Sequence, residues 1–284
     1  MAASLCRMLS WRTFKNHKWM TPCCSEILAT YNVKSFGSAV NIQRCQSSGL
    51  NTQQAVSPSE VYTKASENLS TFEAAIQHED YFGLKNLVTL QDLFQARVHL
   101  GHNVGLRHES MSPYIYGTRQ GVDIIDLEQT LPLLHDALNF CAHIVYRGGM
   151  ILFLCRNMQF LPKVEQTARE VKEYSHCRPW LRGTFTNSAN MFNSLPIYPE
   201  LCIFLNTQDT VFETHRGVVE ASKLLVPTIG IVDTNVDCAN LIAYPIPGND
   251  DSPASLQLFL DLFKTAIIRA KEKRKEDGID ETAS

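Results

Sequence analysis

The sequence predicts an α/β fold: a doubly wound, flavodoxin- or Rossmann-like parallel sheet with helices on both faces. Three observations predict it. Met150-Ile151-Leu152-Phe153-Leu154, Leu201-Cys202-Ile203-Phe204-Leu205 and Thr228-Ile229-Gly230-Ile231-Val232 are short apolar runs of strand length, the pattern of strands covered on both faces. Stretches with apolar residues at helical spacing lie between them. Strand and helix alternate, so successive strands are joined by right-handed crossovers and run parallel.

In chain order, residues 46 to about 60 are polar and turn-forming and read as a connector. From about 61 to 98 the pattern is helical, ending in Leu90-Gln91-Asp92-Leu93-Phe94-Gln95-Ala96 and leading into His99. Tyr114-Ile115-Tyr116 and Val122-Asp123-Ile124-Ile125, separated by Gly117 to Gly121, read as short paired strands. A helix follows with Thr130 as its cap and Pro132 in its first turn, carrying Leu131, Leu134, Leu138, Ala142 and Val145, and Gly148 and Gly149 end it. After the first apolar run comes a helix with Leu161, Val164, Ala168 and Val171 on one side. Another, through Val218, Ala221 and Leu224, separates the second and third runs. The last helix starts at Ser252 as cap and Pro253 as first residue, buries Leu256, Leu260, Phe263 and Ile267, and frays into Lys271-Glu272-Lys273-Arg274-Lys275. The chain divides accordingly into a leader (1–50), an extension and linker (51–90), an α/β domain (91–270) and a charged flexible tail (271–284).

Charge is unevenly spread over the 284 residues. The first 50 carry six basic side chains (Arg7, Arg12, Lys15, Lys18, Lys34, Arg44) against one acid, Glu26, a net of +5. The rest has 20 basic and 28 acidic side chains, a net of −8. A leader with Arg and Lys, rich in Ser and Thr, nearly free of acids and dotted with Leu5, Met8, Leu9, Trp11, Phe14 and Trp19 has the composition of a mitochondrial presequence. No segment approaches the roughly 20 apolar residues that span a bilayer, so no membrane partner is expected. Of the nine cysteines, Cys6, Cys23, Cys24 and Cys45 lie in the leader; Cys141, Cys155, Cys177, Cys202 and Cys238 are widely separated with no C-x-x-C pair. They read as small buried hydrophobes of a reducing matrix rather than as a metal site.

The loops after the strands decide function in such a sheet. Cys155-Arg156-Asn157-Met158-Gln159 lacks the glycines a pyrophosphate needs, and neither a phosphate-binding G-x-x-x-x-G-K-[ST] nor a G-x-S-x-G nucleophile turn occurs. Asp233, at the tip of a buried strand, is the best lone acid for an enzyme, and a matrix α/β enzyme or nucleotide- or metal-binding module using that loop is the alternative. The competing reading is a hydrogen-bonded turn of Asp233, Thr234 and Asn235. Asp250 and Asp251 resemble a cation site but also sit at the amino end of the last helix, where the dipole favours acids. His99 and His102 reach one ligand only if their segment is helical. No nucleophile, base and orienting group come together, so neither catalysis nor a cofactor is expected.

Gly101-His102, Met111-Ser112-Pro113-Tyr114-Ile115-Tyr116-Gly117-Thr118-Arg119, Ile124-Ile125-Asp126-Leu127, Val232-Asp233-Thr234-Asn235 and Ile246-Pro247-Gly248-Asn249-Asp250-Asp251, in this order, resemble the S-two family of bacterial-type small-subunit ribosomal proteins. Trp180-Leu181, Thr186-Asn187, Pro199-Glu200-Leu201, Glu220-Ala221 and Val226-Pro227 fall in the same order, and the resemblance runs from about Asp92 to Arg269. With the leader, it points to the mitochondrial member. The resemblance implies a structural constituent of the mitochondrial small ribosomal subunit, in the matrix, that performs no chemistry and binds small-subunit rRNA and neighbouring ribosomal proteins.

On that footing the expected rRNA contacts are His99, His102, Arg107, Arg119, Arg156, Arg178, Trp180, Arg182, Thr184 and Asn187: cations and hydroxyls for phosphates, Asn for sugar or base, and Trp180 for stacking unless it is a core aromatic. Two departures from the family stand out. Asn103 to Ser112 keeps only Arg107 where the family carries several cations, and Cys155-Arg156-Asn157 replaces a Gly-Thr-Lys, so phosphate contacts are fewer and RNA affinity weaker and flatter against salt. Only Ser188 to Tyr198 separates Asn187 from Pro199, too few residues at about 1.5 Å rise each for the helical hairpin that bacterial members insert there.

Overall fold

The structure is a computed structural model that describes residues 71–193, 196–210 and 213–279. The leader and the connector lie outside the described residues. Five parallel strands form the central sheet: β4 (Ile151–Leu154), β5 (Tyr174–His176), β6 (Leu201–Phe204), β9 (Thr228–Val232) and β10 (Tyr244–Pro247), in the order β10-β9-β6-β4-β5. The chain steps from β4 outward to β5, then reverses and steps through β6, β9 and β10. The reversal lies between β4 and β6, the point where doubly wound sheets open a crevice at their carboxyl edge.

Alternation along the strands sends side chains to two cores. Ile151, Phe153, Leu201, Ile203, Ile229, Ile231 and Ile246 join a cluster with helices α2 (Leu127–Tyr146), α3 (Leu161–Val171) and α6 (Pro253–Glu276). Leu154, Cys202, Phe204 and Val232 join a second cluster with α5 (Arg216–Lys223), Trp180 and Phe185. Residues of the three central strands are thus enclosed on one face or the other, which is why the runs read as continuously apolar. The two faces are covered unequally: long helices on the first, but on the second α5, the five-residue α4 (Ser188–Phe192) and irregular chain.

The predicted fold class stands, while several element boundaries differ. Residues 71–77 are helical and α1 (Leu90–Gln95) is a separate short helix, closed by a capping box between Thr89 and Asp92, with turns between the two. The segment after His99 is a strand, not a helix. β1 (Leu100–Asn103) pairs antiparallel with β3 (Val122–Ile125), which also pairs with β2 (Ile115–Arg119). Helix α2 begins at Leu127 with Asp126 as its cap, the carboxylate accepting from Glu128 N at 3.0 Å. Thr130, expected as the cap, is fully buried instead, and its hydroxyl faces the carbonyls of Asp126 and Pro247 at 3.0 and 2.9 Å, tying the helix to β10. Ser252 caps α6 without a side-chain bond; Asn249 Oδ1 takes over, accepting from Asp251 N and Ser252 N. β5, the small hairpin β7 (Gln208–Thr210) and β8 (Glu213–Thr214), and the proline-bearing edge strand β10 carry too little apolar pattern to have been read as strands.

The charged run 271–275 does not fray. Helix α6 continues to Glu276, Lys271 Nζ bonds Glu173 and the Val171 carbonyl, and Ile279 is buried. Asp277 accepts from Tyr81 and Tyr146 hydroxyls at 2.8 and 2.5 Å. Replacing it leaves the half-enclosed Tyr146 hydroxyl without its acceptor, a cost of about 1–3 kcal/mol. In Asp277→Ala, amide exchange across 271–279 is therefore expected to accelerate while that of the central strands is unchanged. Slow exchange persisting at 271–279 would show that this contact does not hold the helix end.

Candidate nucleic-acid interface

The expected contact residues fall in two groups along the carboxyl edge of the sheet. His102 and Arg119 lie in the three-stranded β1-β3-β2 sheet, which meets the tips of β9 and β10, and His99 and Arg107 flank its strand β1. Arg156, Arg178, Trp180, Arg182, Thr184 and Asn187 follow β4 and β5, on the far side of the strand reversal.

In the first group the backbone of β1 approaches the tip of β9 so closely that a Cβ on Gly101 would lie 2.5 Å from Thr234 Cγ2. His102 N donates to Thr234 Oγ1 at 2.9 Å. The His102 ring stands between two carboxylates, its Nδ1 3.2 Å from Asp233 Oδ2 and its Nε2 3.2 Å from Asp251 Oδ2. The Asp233 carboxylate, helped by Asp251 and Asp250, raises the His102 pKa to about 9 against the opposing effect of burial. Burial, with Asp233 and Asp251 close by, pushes the Asp250 carboxyl well above the usual carboxylate range. The other Asp233 oxygen accepts from Thr234 N at 2.5 Å. Asp233 is 1% exposed, so this acid is spent on closing a turn and holding an imidazolium. A shallow cavity of about 240 Å³ lined by His102, Leu106, Asp233 and Asn249 opens beside it.

His99, in the turn before β1, and His102, within it, have separate surroundings. His99 stacks on Phe94, with ring centroids 4.4 Å apart, and desolvation lowers its pKa. Arg107 is bound to the fully buried Asp123 through Nε, at 2.8 Å, and Nη2. That fork neutralises a buried acid, leaving only its outer edge, about 30% exposed, to face a ligand. Arg119, at the end of β2 beside the Gln120-Gly121 turn, is exposed.

The second group is organised by a residue sequence reasoning did not choose as a site. Glu220, on the buried side of α5, accepts from Gly183 N at 2.6 Å and Phe185 N at 2.9 Å. Its carboxylate thereby holds the 182–186 loop on the sheet, with Arg182 and Asn187 exposed and the Thr184 hydroxyl turned to the Leu181 carbonyl at 2.7 Å. The available signal was an acid on the face of α5 that also carries Gly217, Val218 and Ala221. Arg156 lies across the reversal point with Nε 3.9 Å from Asp209 Oδ1, which is also 3.8 Å from His215 Nε2. Arg178 is exposed.

Trp180 is the correction. It is 6% exposed and packs edge-on to His176, Phe185 and His215, so it serves as a core aromatic and its ring is closed to a stacked base. Among the described residues Arg119, Arg178 and Arg182 are exposed and form no ion pair, and no group of three or more His, Cys, Asp or Glu side chains is placed to hold a metal. No described helix is long and apolar enough to cross a membrane.

The family model for ribosomal protein S2 matches residues 93–210 and 194–270. The chain belongs to the ribosomal protein S2 family. Similar proteins include the small ribosomal subunit protein uS2m of Bos taurus, 51% identical over 201 residues that cover 71% of this chain and 68% of the relative. The small ribosomal subunit proteins uS2 of Chelativorans sp. (strain BNC1) and Bartonella henselae are 31% and 33% identical. They cover 68% and 63% of this chain and 86% and 84% of their own lengths. S2 proteins are structural, and the enzyme alternative at Asp233 has no support.

The bacterial relatives carry positions that this chain lacks. The Chelativorans comparison takes 231 positions to cover 68% of 284 residues, about 193, so roughly 38 positions have no counterpart here. The bovine comparison takes 201 positions for 71%, about 201 residues, and shows no such excess. The family model matches as two stretches that overlap at 194–210, a span that runs from the end of the α4–β6 connection through β6 and β7.

His102 gives a pH test with a definite sign. Its folded pKa, about 9, exceeds the unfolded value near 6.5, so its contribution is full below pH 6.5 and is lost as pH rises through 9. The stability gap between the wild type and His102→Gln, read from urea unfolding, is expected to be on the order of 2–3 kcal/mol at pH 6 and to shrink steadily by pH 9.5. A gap independent of pH would show that the imidazole is not charged in the fold.

Proposed function

We infer that this protein is a structural constituent of the mitochondrial small ribosomal subunit, held there by small-subunit rRNA and neighbouring ribosomal proteins. The observation that carries the inference is membership of the S2 family at 51% identity to the bovine uS2m. Its site of action is the mitochondrion, in agreement with the basic, acid-poor leader. The carboxyl edge of the sheet is the RNA-facing side: exposed Arg119, Arg178 and Arg182, with Arg156, supply phosphate contacts, and Thr184 and Asn187 add polar ones. His99, His102 and Arg107 act from the β9 and β10 side, chiefly by holding the loops that face RNA.

The geometry supports a small cationic footprint on an acidic body. Past residue 50 the net charge is −8, and Arg107 and Arg156 already face acids of the protein itself. Neighbouring proteins accordingly supply a larger share of the docking energy here than in the bacterial case. Two measurements test this reading. In sedimented mitochondrial lysate the protein is expected to co-fractionate with the small subunit and to leave that fraction after nuclease treatment; a persistent free pool would refute it. For isolated small-subunit rRNA, Arg178→Ala/Arg182→Ala is expected to lower the slope of log affinity against log salt by about 1.5–2, the counterion release of two phosphate contacts. An unchanged slope would remove both arginines from the interface.

A further inference from the structure

The edge strand β2 carries the most exposed aromatic ring among the described residues, Tyr116 at 80%. Its register explains the exposure. Ile115 pairs with Ile125 and Gly117 with Ile124, so β2 advances two residues where β3 advances one, and Tyr116 is the extra residue of a bulge. A bulged residue leaves the alternation of its strand and is re-aimed, here into water. Among the described residues its ring meets no other ring and its hydroxyl has no hydrogen bond.

The surface around the ring specifies what it meets. Val122 and Ile124 share the outer face of β3, and the register carries that face across the sheet: Leu100, Ile124 and Gly117 form one row, Asn103, Val122 and Arg119 the next. A Cβ on Gly117 would touch nothing within 4 Å, so the ground beside Tyr116 is open. Arg119, at the end of the same strand, is exposed and forms no ion pair. The one acid of the three strands, Asp123, is buried under the Arg107 fork. The exposed acids closest in the chain lie outside the strands: Glu109 in the turn before β2, Glu128 in the first turn of α2, and Asp251 against His102. An unpaired nucleotide has both features this surface answers, a flat π face for the phenol ring and a phosphate for the guanidinium. A peptide strand adding to the sheet would need an unbroken ladder, and the bulge interrupts the β2 edge.

We propose that Tyr116 is the base-stacking residue of the rRNA interface, holding one unpaired nucleotide of small-subunit rRNA while Arg119 takes an adjoining phosphate. This rests on the reading of the chain as an rRNA-bound constituent of the small subunit. An edge strand thereby supplies the stacking that Trp180, closed within the second core, does not.

The test uses the full chain expressed in cells and assembled small subunits recovered by sedimentation. A photo-cross-linking aromatic amino acid in place of Tyr116 is expected to join rRNA. With the purified chain and isolated small-subunit rRNA, Tyr116→Ala is expected to lower affinity at least about fivefold, and Tyr116→Phe to stay within about twofold of the wild type. The slope of log affinity against log salt is expected to be the same in all three, because a stacked ring releases no counterion. The melting temperature of Tyr116→Ala should match the wild type, since the side chain lies in water. A cross-link from position 116 to another protein, to residues 1–70 or to a second copy of the chain overturns the proposal. So does an affinity unchanged in Tyr116→Ala, an equal loss in Tyr116→Phe, or a slope that falls by about one in Tyr116→Ala, the mark of a lost phosphate contact. If the wild type neither sediments with small subunits nor binds the rRNA, the reading of its function has failed instead. If it does and position 116 yields no RNA cross-link, only the stacking role has.

Discussion

Burial of β4, β6 and β9 on both faces is the constraint on which the rest of the structure depends. A parallel strand cannot be joined to the next by a tight turn; the chain must leave at the carboxyl edge, cross a face and re-enter at the amino edge. Every crossover therefore begins with a loop at the same edge, and the reversal between β4 and β6 spreads two of those loops apart. Arg156 and Arg178, the residues that follow Cys155 and Cys177, are brought to one rim by this arrangement although 22 positions separate them in sequence.

The same edge explains how an acidic body can present cations. Asp123, Asp233, Glu220 and Asp250 are all buried, and most of them point at protein groups: Arg107, His102 and the amides of Thr234, Gly183 and Phe185. Carboxylates that hold loops this way are removed from the surface field, whereas Arg119, Arg178 and Arg182 remain in solvent. Formal net charge describes the chain as a whole and says little about the sign of one rim. Buried acids of this kind must keep their partners: stripping the guanidinium from Asp123, the imidazolium from Asp233 or the amides from Glu220 leaves an uncompensated charge.

Some readings succeeded because the signal was local and redundant. The three apolar runs are strands, the spacing in α3 and α6 gives the buried faces, Val218 and Ala221 are buried on α5 while Leu224 caps it in solvent, and Gly148, at φ +86°, ends α2 where a left-handed residue is needed. Others failed for identifiable reasons. Thr130 and Asp126 are both good caps, and the helix takes the earlier one because Pro247 claims the Thr130 hydroxyl from across the fold. β1 has a pattern with no period, and it is a strand only because β3 offers it a ladder. Residues 271–277 read as a solvated tail until Glu173 meets Lys271 and Tyr81 and Tyr146 meet Asp277, each partner more than 90 positions away. Trp180 was balanced between core and surface, and the aromatic cluster of His176, Phe185 and His215 settles it.

Sequence alone determined the α/β class, the positions of the central strands and the family, because each rests on residue order and on periodicities that a chain displays without folding. Tertiary structure alone decided which cations are free and which are held by the protein's own acids. It also decided which aromatic is core, where the last helix ends and which face is left under-covered. These depend on groups that meet only after the crossovers have formed, and no local pattern encodes a partner that lies a hundred residues away.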